Sequence, residues 1–336
     1  MKAALVTGPG TASIVDIPRP SAGPRDVLIR MRACGICGSD SFYIAIGGLP
    51  PREGRMPLGH EPAGEVVEAG AEVTGISIGD HVVVNPMAAP GDIIGNGGGQ
   101  GALSEYLLIE QAERGVNLEV IPEHVPFAVA ALNEPMAVAR HAVNQCTPTS
   151  SDKVLIFGAG PIGLGAVLAF KSLGLQHVVV TDVIASRLDK ALQVGADAVI
   201  NSAEEDAIKR LIEIHGEGEA MLPGKADTDI YLDAAGVPAV IDTAISAAKK
   251  NATVCVVAVH KKPVPVDLIS VMSNEITLIG SIGYPDEIFD VTRDLVDNWK
   301  KYALIVSHTV HFDHLDEALR KASTPGAADK VVVTFE

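Results

Sequence analysis

The spacing of apolar residues divides the chain into two parts of different character. Residues 1 to about 140 carry short apolar runs separated by glycine and proline, including DVLIRM, AGEVVEAG, DHVVVNP and EYLLIE. Short strands between turn residues predict a β-rich, barrel-like region. Residues 85 to 102 show no apolar periodicity, so we expect a long loop there.

From Lys153 onward, strand-like and helix-like segments alternate. KVLIFGAG precedes PIGLGAVLAFKSLG, HVVVTD precedes SRLDKALQVGA, and TDIYLDAAG precedes AVIDTAISAAKK, before the strand-like ATVCVVAV and ITLIGSIG. This alternation predicts βαβ units around a mostly parallel sheet with helices on both faces. After about residue 284, a helical segment and the strand-like KVVVTF complete the pattern.

Composition narrows the class of protein. A chain of 336 residues exceeds the usual size of a single core, which predicts two domains. The formal charge of −16 argues against nucleic acid or an anionic membrane as a partner. No apolar run approaches the roughly 18 residues that span a bilayer, and the N-terminal residues do not resemble a signal peptide. With only four cysteines, these features predict a reducing cytoplasm and no disulfide framework.

A glycine fingerprint follows the first strand of the second part. The segment from 158 to 163 reads Gly158, Ala159, Gly160, Pro161, Ile162 and Gly163. This G-x-G-x-x-G pattern comes directly after an apolar strand and opens a helix, the context of dinucleotide-binding turns. Gly158 makes the tight turn, Gly160 lets the backbone approach a pyrophosphate, and Gly163 allows the helix to pack on the strand. The start of the helix offers free N–H groups to the phosphates.

An acidic residue specifies the form of the dinucleotide. Asp182 ends the next strand-like segment, where a carboxylate accepts hydrogen bonds from both ribose hydroxyls and repels a 2′-phosphate. NAD is therefore favoured over NADP. Arg187 could cover the adenosine ribose and slightly weakens this preference.

The segment RACGICGSD places Cys34 and Cys37 three positions apart, which suits a redox dithiol, half of a zinc finger, or a single metal ligand. A thioredoxin-like pair belongs at the start of a helix in a βαβ fold, whereas this pair lies in the β-rich part. A local four-cysteine site is excluded because residues 38 to 145 contain no cysteine. Downstream, His60, Glu61 and Glu134 supply imidazole and carboxylate groups suited to a catalytic zinc.

The order C-G-I-C-G-S-D, G-H-E-x-x-G, E-P-x-x-V and G-A-G-P-I-G resembles the zinc-dependent medium-chain alcohol dehydrogenases, most closely their sorbitol and butanediol dehydrogenase branch. The resemblance covers essentially the whole chain. It implies an α/β protein with a GroES-like catalytic domain at residues 1–142, completed by residues 284–336. A doubly wound Rossmann domain at residues 143–283 would lie between these segments in the sequence.

The resemblance also implies roles for individual residues. Cys37 and His60 would ligate one catalytic zinc, with Glu61, Glu134 or both completing the set directly or through water. Asp40 would orient the imidazole, Ser39 would pass the substrate proton outward, and Cys34 would be a small buried residue. The remaining expected contacts are Tyr43 for the substrate and Ala235, Val259 and Lys330 for the dinucleotide, with Lys330 near the pyrophosphate.

Three positions depart from the family pattern. The region of residues 85 to 102 lacks the four cysteines of a structural zinc lobe, so we expect one zinc per chain. Phe42 replaces the relay histidine that lies three residues beyond the serine. Gly283 stands where sorbitol dehydrogenase has an arginine for a polyol hydroxyl, which favours a less hydroxylated, butanediol-like substrate.

The resemblance implies a dehydrogenase in which zinc polarises an alcohol oxygen and NAD accepts a hydride, giving a ketone. Sorbitol, another polyol or threonine is the alternative substrate, and the chain would form a homodimer or homotetramer. The competing class is a zinc-free quinone reductase or a non-catalytic dinucleotide-binding protein. That class would be expected to lose the Cys, His and Glu set.

Two further motifs resemble functional sites, but their sequence context favours an ordinary structural role. Residues 75 to 79 match the G-x-S-x-G pattern of hydrolases around Ser77, but a strand-like segment follows where that motif needs a helix. His308, His311 and His314 are spaced by threes. Positions three apart on a strand point to opposite faces, so we expect no metal site there.

Overall fold

The computed structural model describes residues 1–90, 92–324 and 326–335. Contacts divide the chain into two units, of which unit 1 is Met1–Glu134 with Ile288–Glu336 and unit 2 is Pro135–Glu287. The sequence places the first boundary at 142/143, inside a helix that runs from Asn133 to Gln145. The division falls earlier because all but the first turn of that helix packs with unit 2.

Unit 1 is rich in β-structure, as the short apolar runs predict. Its strands are β1 (Lys2–Gly8), β2 (Thr11–Asp16), β3 (Val27–Gly35), β4 (Met56–Pro57), β5 (Glu61–Ala69), β6 (His81–Val84), β7 (Tyr106–Ile109), β8 (Leu118–Ile121), β15 (Val306–His311) and β16 (Lys330–Thr334). Its helices are α1 (Gly38–Ile46), α2 (Phe127–Ala130), α9 (Ile288–Tyr302) and α10 (Leu315–Ser323). The sequence did not predict α1, which follows directly after the cysteine pair.

The strands of unit 1 form two sheets. One has the order β15-β16-β3-β5-β6-β8 with β7 also paired to β3, and the other has the order β2-β1-β4. β3 is the central strand, and its residues Val27, Ile29, Met31 and Cys34 belong to the apolar core. Pairing with β5 and β16 is antiparallel, so both neighbours reach the end of β3 from the opposite direction.

The expected loop at residues 85 to 102 contains little regular secondary structure. A 3₁₀ turn spans Pro86–Ala88, capped by the Asn85 side chain, which accepts from the Met87 N–H at 3.1 Å. Apart from Gly91, which lies outside the described residues, the rest of the segment contains turns and isolated bridges.

The G-x-S-x-G segment and the three spaced histidines do not form catalytic or metal-binding arrangements in the described part of the chain. Ser77 lies in a turn between β5 and β6, where its N–H donates to Asp80 at 2.7 Å. A strand follows, so the helix of a nucleophile elbow is missing at this point. His308 and His311 lie on β15, and His314 precedes α10. These histidines do not meet as a metal-binding group in the described part of the chain.

Unit 2 contains a parallel sheet with helices between successive strands. Its strands are β9 (Lys153–Phe157), β10 (His177–Asp182), β11 (Ala198–Asn201), β12 (Ile230–Asp233), β13 (Thr253–Val256) and β14 (Thr277–Gly280). Its helices are α3 (Asn133–Gln145, beginning in unit 1), α4 (Pro161–Ser172), α5 (Ala185–Val194), α6 (Ala207–His215), α7 (Pro238–Ala247) and α8 (Leu268–Ser273).

The strand order of unit 2 is β11-β10-β9-β12-β13-β14, and all five pairings are parallel. Numbered from β9, this is the order 3-2-1-4-5-6 of a doubly wound dinucleotide-binding sheet. The predicted α/β fold class is therefore confirmed. The order reverses between β9 and β12, and ligands of such sheets bind at the carboxyl ends of the strands there.

No helix in the described ranges combines the length and the apolar character needed to cross a membrane.

A buried histidine makes the stability of the protein depend on pH. His215 at the end of α6 is 4% exposed, and its Nδ1 lies 2.7 Å from the Thr228 hydroxyl. Burial, followed by the nearby charges of Lys153 and His177, lowers the pKa of His215 to about 4. Protonation therefore favours the unfolded chain, in which the imidazole pKa is near 6.5.

We predict that the stability contributed by neutral His215 is complete above pH 6.5 and is lost as pH falls towards 4. Between pH 7.5 and 4.5 the loss should be about 2–3 kcal/mol. Urea unfolding of the wild type and of His215→Asn at both pH values measures it, because asparagine retains a polar partner for Thr228 but does not titrate. An equal pH dependence in the two proteins would contradict the prediction.

Candidate metal centre and dinucleotide site

The end of β3 and the start of α1 position the cysteine of the candidate metal centre. Cys37 is the residue before α1, in an extended conformation, and is partly exposed. Asp40, in the first turn of the helix, accepts from the Cys37 N–H at 3.0 Å and from the Gly59 N–H at 3.3 Å. The carboxylate of Asp40 thus ties the cysteine turn to the segment that carries His60.

Strand pairing brings the other two donors to this turn. His60 directly precedes β5, and the antiparallel register sets Glu61 opposite Gly35 at the end of β3. Candidate ligand atoms of Cys37, His60 and Glu61 all lie within 4.8 Å of one another. His60 is 3% and Glu61 1% exposed, whereas Cys37 is partly exposed, so solvent reaches this group on the cysteine side alone.

A buried ion pair holds Glu61. The ammonium of Lys330, at the start of β16, lies 2.6 Å from Oε1 and 2.5 Å from Oε2 of Glu61, and it donates to the Ile36 carbonyl at 2.9 Å. A Cβ on Gly35 would lie 1.8 Å from Oε2 of Glu61, so glycine is required at this position.

The structure places Lys330, which the sequence predicts near the pyrophosphate, in a buried ion pair. Its side chain is 4% exposed, and its ammonium is engaged by Glu61. Sequence reasoning missed this pair and the need for Gly35. The available signals were a glycine and a lysine in the otherwise apolar strands ACGIC and KVVV.

Negative charge surrounds His60. Burial is the largest single influence and opposes protonation, but Asp40, Cys37 and Glu134 together raise the pKa of His60 well above its usual value. Nδ1 of His60 lies 3.7 Å from Asp40 and has no hydrogen-bond partner. Glu134, 7% exposed in the first turn of α3, acts here through its charge, since the group within 4.8 Å does not include it.

These residues fit a zinc ion. Thiolate, imidazole and carboxylate are zinc donors, and three protein ligands leave a fourth position open, as catalytic sites require. The buried Nδ1 of His60 has no partner, and its raised pKa indicates negative surroundings, which favour a cation in this group. Across the described ranges, this is the one group of three such side chains that comes together.

Two polar side chains named by the sequence lie near this group. The Ser39 hydroxyl is buried and has no hydrogen-bond partner. Tyr43 is partly buried, and burial together with the charges of Asp40 and Cys37 raises the pKa of its hydroxyl. Phe42, by contrast, is 57% exposed and carries no group that transfers protons.

Cys34 is not part of the metal cluster. It is fully buried in the core of unit 1, and its thiol contacts the Gly35 carbonyl at 3.4 Å. Burial raises the pKa of Cys34 well above its ordinary value, so the thiol stays protonated and unreactive. The strand-to-helix setting that the sequence analysis found missing is present at α1, but both cysteines are free and Cys34 is inaccessible.

The glycine fingerprint forms the turn between β9 and α4. Gly158 has φ +95°, a conformation that favours glycine. A Cβ on Gly163 would lie 1.8 Å from the Gly158 carbonyl oxygen. Gly160 has an ordinary φ of −77° and open space around its would-be Cβ. The internal packing of the protein therefore gives no reason for glycine at 160, whereas close approach of a ligand to the backbone does.

The other predicted dinucleotide residues lie at the carboxyl edge of the same sheet. Asp182 at the end of β10 accepts from the Ala159 N–H at 2.7 Å, and from Val183 and Ile184. Arg187, on α5, is partly buried. Ala235 is exposed after β12, and Val259 is 86% exposed after β13.

Comparison with known proteins agrees with this geometry. A family model described as a zinc-binding dehydrogenase matches residues 161–298, and one described as an alcohol dehydrogenase GroES-like domain matches residues 23–119. The chain is 33% identical to sorbitol dehydrogenase of Bos taurus over 294 residues, which cover 83% of this chain and 81% of that protein.

Butanediol dehydrogenases are equally similar. The chain is 32% identical to (R,R)-butanediol dehydrogenase of Neisseria gonorrhoeae over 313 residues, 84% of each protein. The crystal structure of 2R,3R-butanediol dehydrogenase from Bacillus subtilis has a TM-score of 0.86 and 27% identity, covering 100% of this chain and 99% of that one.

We predict that Cys37→Ala loses its zinc while Cys34→Ala keeps it. Changing a residue that only contacts a metal ligand weakens metal binding by up to about 100-fold. Removing the ligand itself should therefore weaken zinc binding by more than about 100-fold. Cys34→Ala, the matched control, should cost about 1 kcal/mol of stability through the small cavity it leaves. Metal analysis of dialysed proteins and urea unfolding distinguish the two. Equal zinc content in both variants would rule out Cys37 as a ligand.

A second pair of variants tests the glycine turn. Gly160→Ala should fold normally but bind NADH at least about tenfold more weakly, because the new methyl group enters the space of the pyrophosphate. Gly163→Ala should also lower the melting temperature, since its Cβ cannot coexist with the Gly158 carbonyl. Fluorescence titration and thermal melting measure both effects. Wild-type affinity in Gly160→Ala would show that no ligand approaches this turn closely.

Proposed function

We propose, from the premise that this chain belongs to the zinc-dependent medium-chain alcohol dehydrogenase family, that it oxidises a small diol of the 2,3-butanediol type to the hydroxyketone with NAD. That the chain is a zinc-dependent alcohol or polyol dehydrogenase, as predicted from its motifs, is confirmed by its relatives. The observation that carries the reaction is the group formed by partly exposed Cys37 and buried His60 and Glu61.

When bound, zinc supplies a Lewis acid that lowers the pKa of an alcohol hydroxyl, and NAD supplies the hydride acceptor. Cys37, His60 and Glu61 would hold the metal, and Glu134 would add negative charge or a further contact through water. Asp40 fixes the turn between them through its two backbone hydrogen bonds. Support for Glu61 over Glu134 as the carboxylate ligand comes from its place within the 4.8 Å group.

Ser39 is the proposed acceptor of the substrate proton. Its hydroxyl is buried without a partner, so it has a free lone pair for a proton donor. Phe42 stands in place of the family's relay histidine and cannot carry the proton further. The proton therefore leaves Ser39 through a ribose hydroxyl of the cofactor or through solvent.

The preference for a diol over a sugar alcohol rests on Gly283. Sorbitol dehydrogenase has an arginine at the corresponding position, and glycine offers no side chain for an additional hydroxyl. Relatives of both kinds are about equally similar in sequence, so the choice depends on this residue. Sorbitol, other polyols and threonine are the alternatives that a substrate screen decides.

NAD is proposed over NADP because of Asp182. Its carboxylate ends β10 beside the glycine turn, where it bonds the Ala159 N–H. A second negative charge from a 2′-phosphate would be repelled there.

The absence of cysteine from residues 85 to 102 supports one catalytic zinc per chain without a structural zinc.

Unit 2 presents an edge suited to a second copy of the chain, and we propose a homodimer formed there, alone or within a tetramer. β14 is the last strand of its sheet, with Leu278 42% and nearby Ile282 90% exposed. The adjoining α8 exposes Leu268, Ile269 and Met272 by 68–75%. An apolar unpaired edge is a liability that pairing with an identical edge would remove.

Four free cysteines support a cytoplasmic location.

A zinc-free quinone reductase or a non-catalytic dinucleotide-binding protein would not need three donor side chains within 4.8 Å of one another. Zinc analysis separates these classes from a dehydrogenase. A protein that binds NADH but carries no zinc when purified with added metal would belong to the competing class.

An NAD-reduction screen tests the proposed substrate. We predict that kcat/KM is highest for a 2,3-butanediol stereoisomer and lower for sorbitol, threonine and simple secondary alcohols. With NADP the value should fall at least about tenfold, the effect of about 1.4 kcal/mol of charge repulsion. Sorbitol as the best substrate would overturn the role of Gly283, and equal rates with NADP would overturn that of Asp182.

A further inference from the structure

The carboxyl edge of the parallel sheet contains a buried carboxylate that none of the predicted site residues explains. Asp233, the last residue of β12, is 1% exposed. Its Oδ1 accepts from the N–H groups of Ala235 and Gly236, both at 2.9 Å. Its Oδ2 lies 2.6 Å from Nε2 of His260, which follows β13.

Asp233 also bonds the second loop through its backbone. Its carbonyl oxygen accepts from the N–H groups of Val257 and Ala258 at 3.1 and 3.0 Å. One residue thus holds both the loop 234–236 after β12 and the loop 257–260 after β13.

These loops pack on each other and on the glycine turn. Gly236 has φ +68°, and a Cβ there would lie 2.9 Å from the Val259 carbonyl oxygen. A Cβ on Gly158 would lie 3.2 Å from the Cβ of Ala235. The glycine turn and the two loops are therefore in contact, at the edge where doubly wound sheets bind their ligands.

The pair of Asp233 and His260 is built to hold a position. A buried carboxylate needs charge-assisted hydrogen bonds to offset its lost hydration, and Nε2–H of His260 supplies one. His260 is 14% exposed, and its other nitrogen, Nδ1, is buried with no hydrogen-bond partner. The bond to Asp233 is thus the one hydrogen bond of the imidazole, and it adds a side-chain tie to a loop that backbone bonds hold at Val257 and Ala258.

We propose that His260 is a positioning residue for the dinucleotide. Through Asp233 it fixes the loops that present Ala235 and Val259, two expected contacts of the cofactor, against the glycine turn. The inference rests on the proposed binding of NAD by unit 2 but adds a residue that the G-x-G-x-x-G motif and Asp182 do not include. Without this bond the loop 257–260 would lose its side-chain hydrogen bond to Asp233. The dinucleotide would then have to order the loop when it binds, which would weaken its binding.

The test compares His260→Ala with His260→Gln in the zinc-loaded full chain. Glutamine can place an amide N–H where Nε2 lies, whereas alanine leaves Oδ2 of Asp233 without its partner. His177, an exposed histidine at the opposite, amino end of the same sheet, provides the control His177→Ala. Fluorescence titration with NADH gives the dissociation constant, and thermal melting and zinc analysis report on the fold.

The expected result is a dissociation constant for NADH raised about tenfold in His260→Ala, the effect of one hydrogen bond to a charged group. His260→Gln should restore the affinity largely and His177→Ala should not change it, with zinc content equal in all proteins. Should His260→Ala fail to fold, His260→Asn, whose shorter amide does not reach Oδ2, takes its place.

Wild-type affinity in His260→Ala would overturn the inference. So would equal weakening by alanine and glutamine together with a lower melting temperature, which would indicate a structural role alone. Absence of NADH binding by the wild type would instead refute the proposed function, and the inference with it.

Discussion

The pairing of β3 with β5 on one side and β16 on the other is the constraint on which the metal centre depends. Gly35 lies opposite Glu61 in one register and opposite Val332 in the other. The missing side chain leaves the space in which the carboxylate of Glu61 meets the ammonium of Lys330. Because Cys37 follows Gly35 by two residues and His60 precedes Glu61, this register also determines which side chains face each other.

The charges inside this cluster explain why a cation suits it. Asp40, Cys37 and Glu134 favour positive charge on His60, and Lys330 is the cation that contacts Glu61. Burial opposes the charge of Lys330, but Glu61 and Cys37 raise its pKa above the ordinary value. Breaking such a buried pair by removing one partner costs about 3–5 kcal/mol. The pair therefore fixes Glu61 while the remaining negative charge stays available for a metal ion.

The sequence predicted the parts of the structure that depend on local pattern. Alternating strand and helix segments gave the parallel sheet of unit 2, and spacing with context located Gly158, Gly160, Gly163 and Asp182. The helix α1 was missed because its residues, GSDSFYIAI, show no clear apolar stripe, and its one buried residue is the acidic Asp40. The pairing of Lys330 with Glu61 was missed because the two residues are 269 positions apart in the sequence. A contact of that kind depends on strand register, which no local pattern encodes.

Both units hold a buried carboxylate in a similar way. In unit 1, Glu61 is held by Lys330 in space left by Gly35; in unit 2, Asp233 is held by His260 beside Gly236. A carboxylate with fixed partners is rigid, and binding sites need side chains and loops held within a fraction of an ångström. The glycine gives the close approach and the nitrogen partner, Lys330 or His260, offsets the cost of burying the carboxylate, so the two act together. In a sequence, a glycine near a strand end therefore indicates more than a turn when an acidic residue lies opposite it, as Glu61 does for Gly35, or shortly before it, as Asp233 does for Gly236. Such a pair indicates a carboxylate that holds a binding site in place.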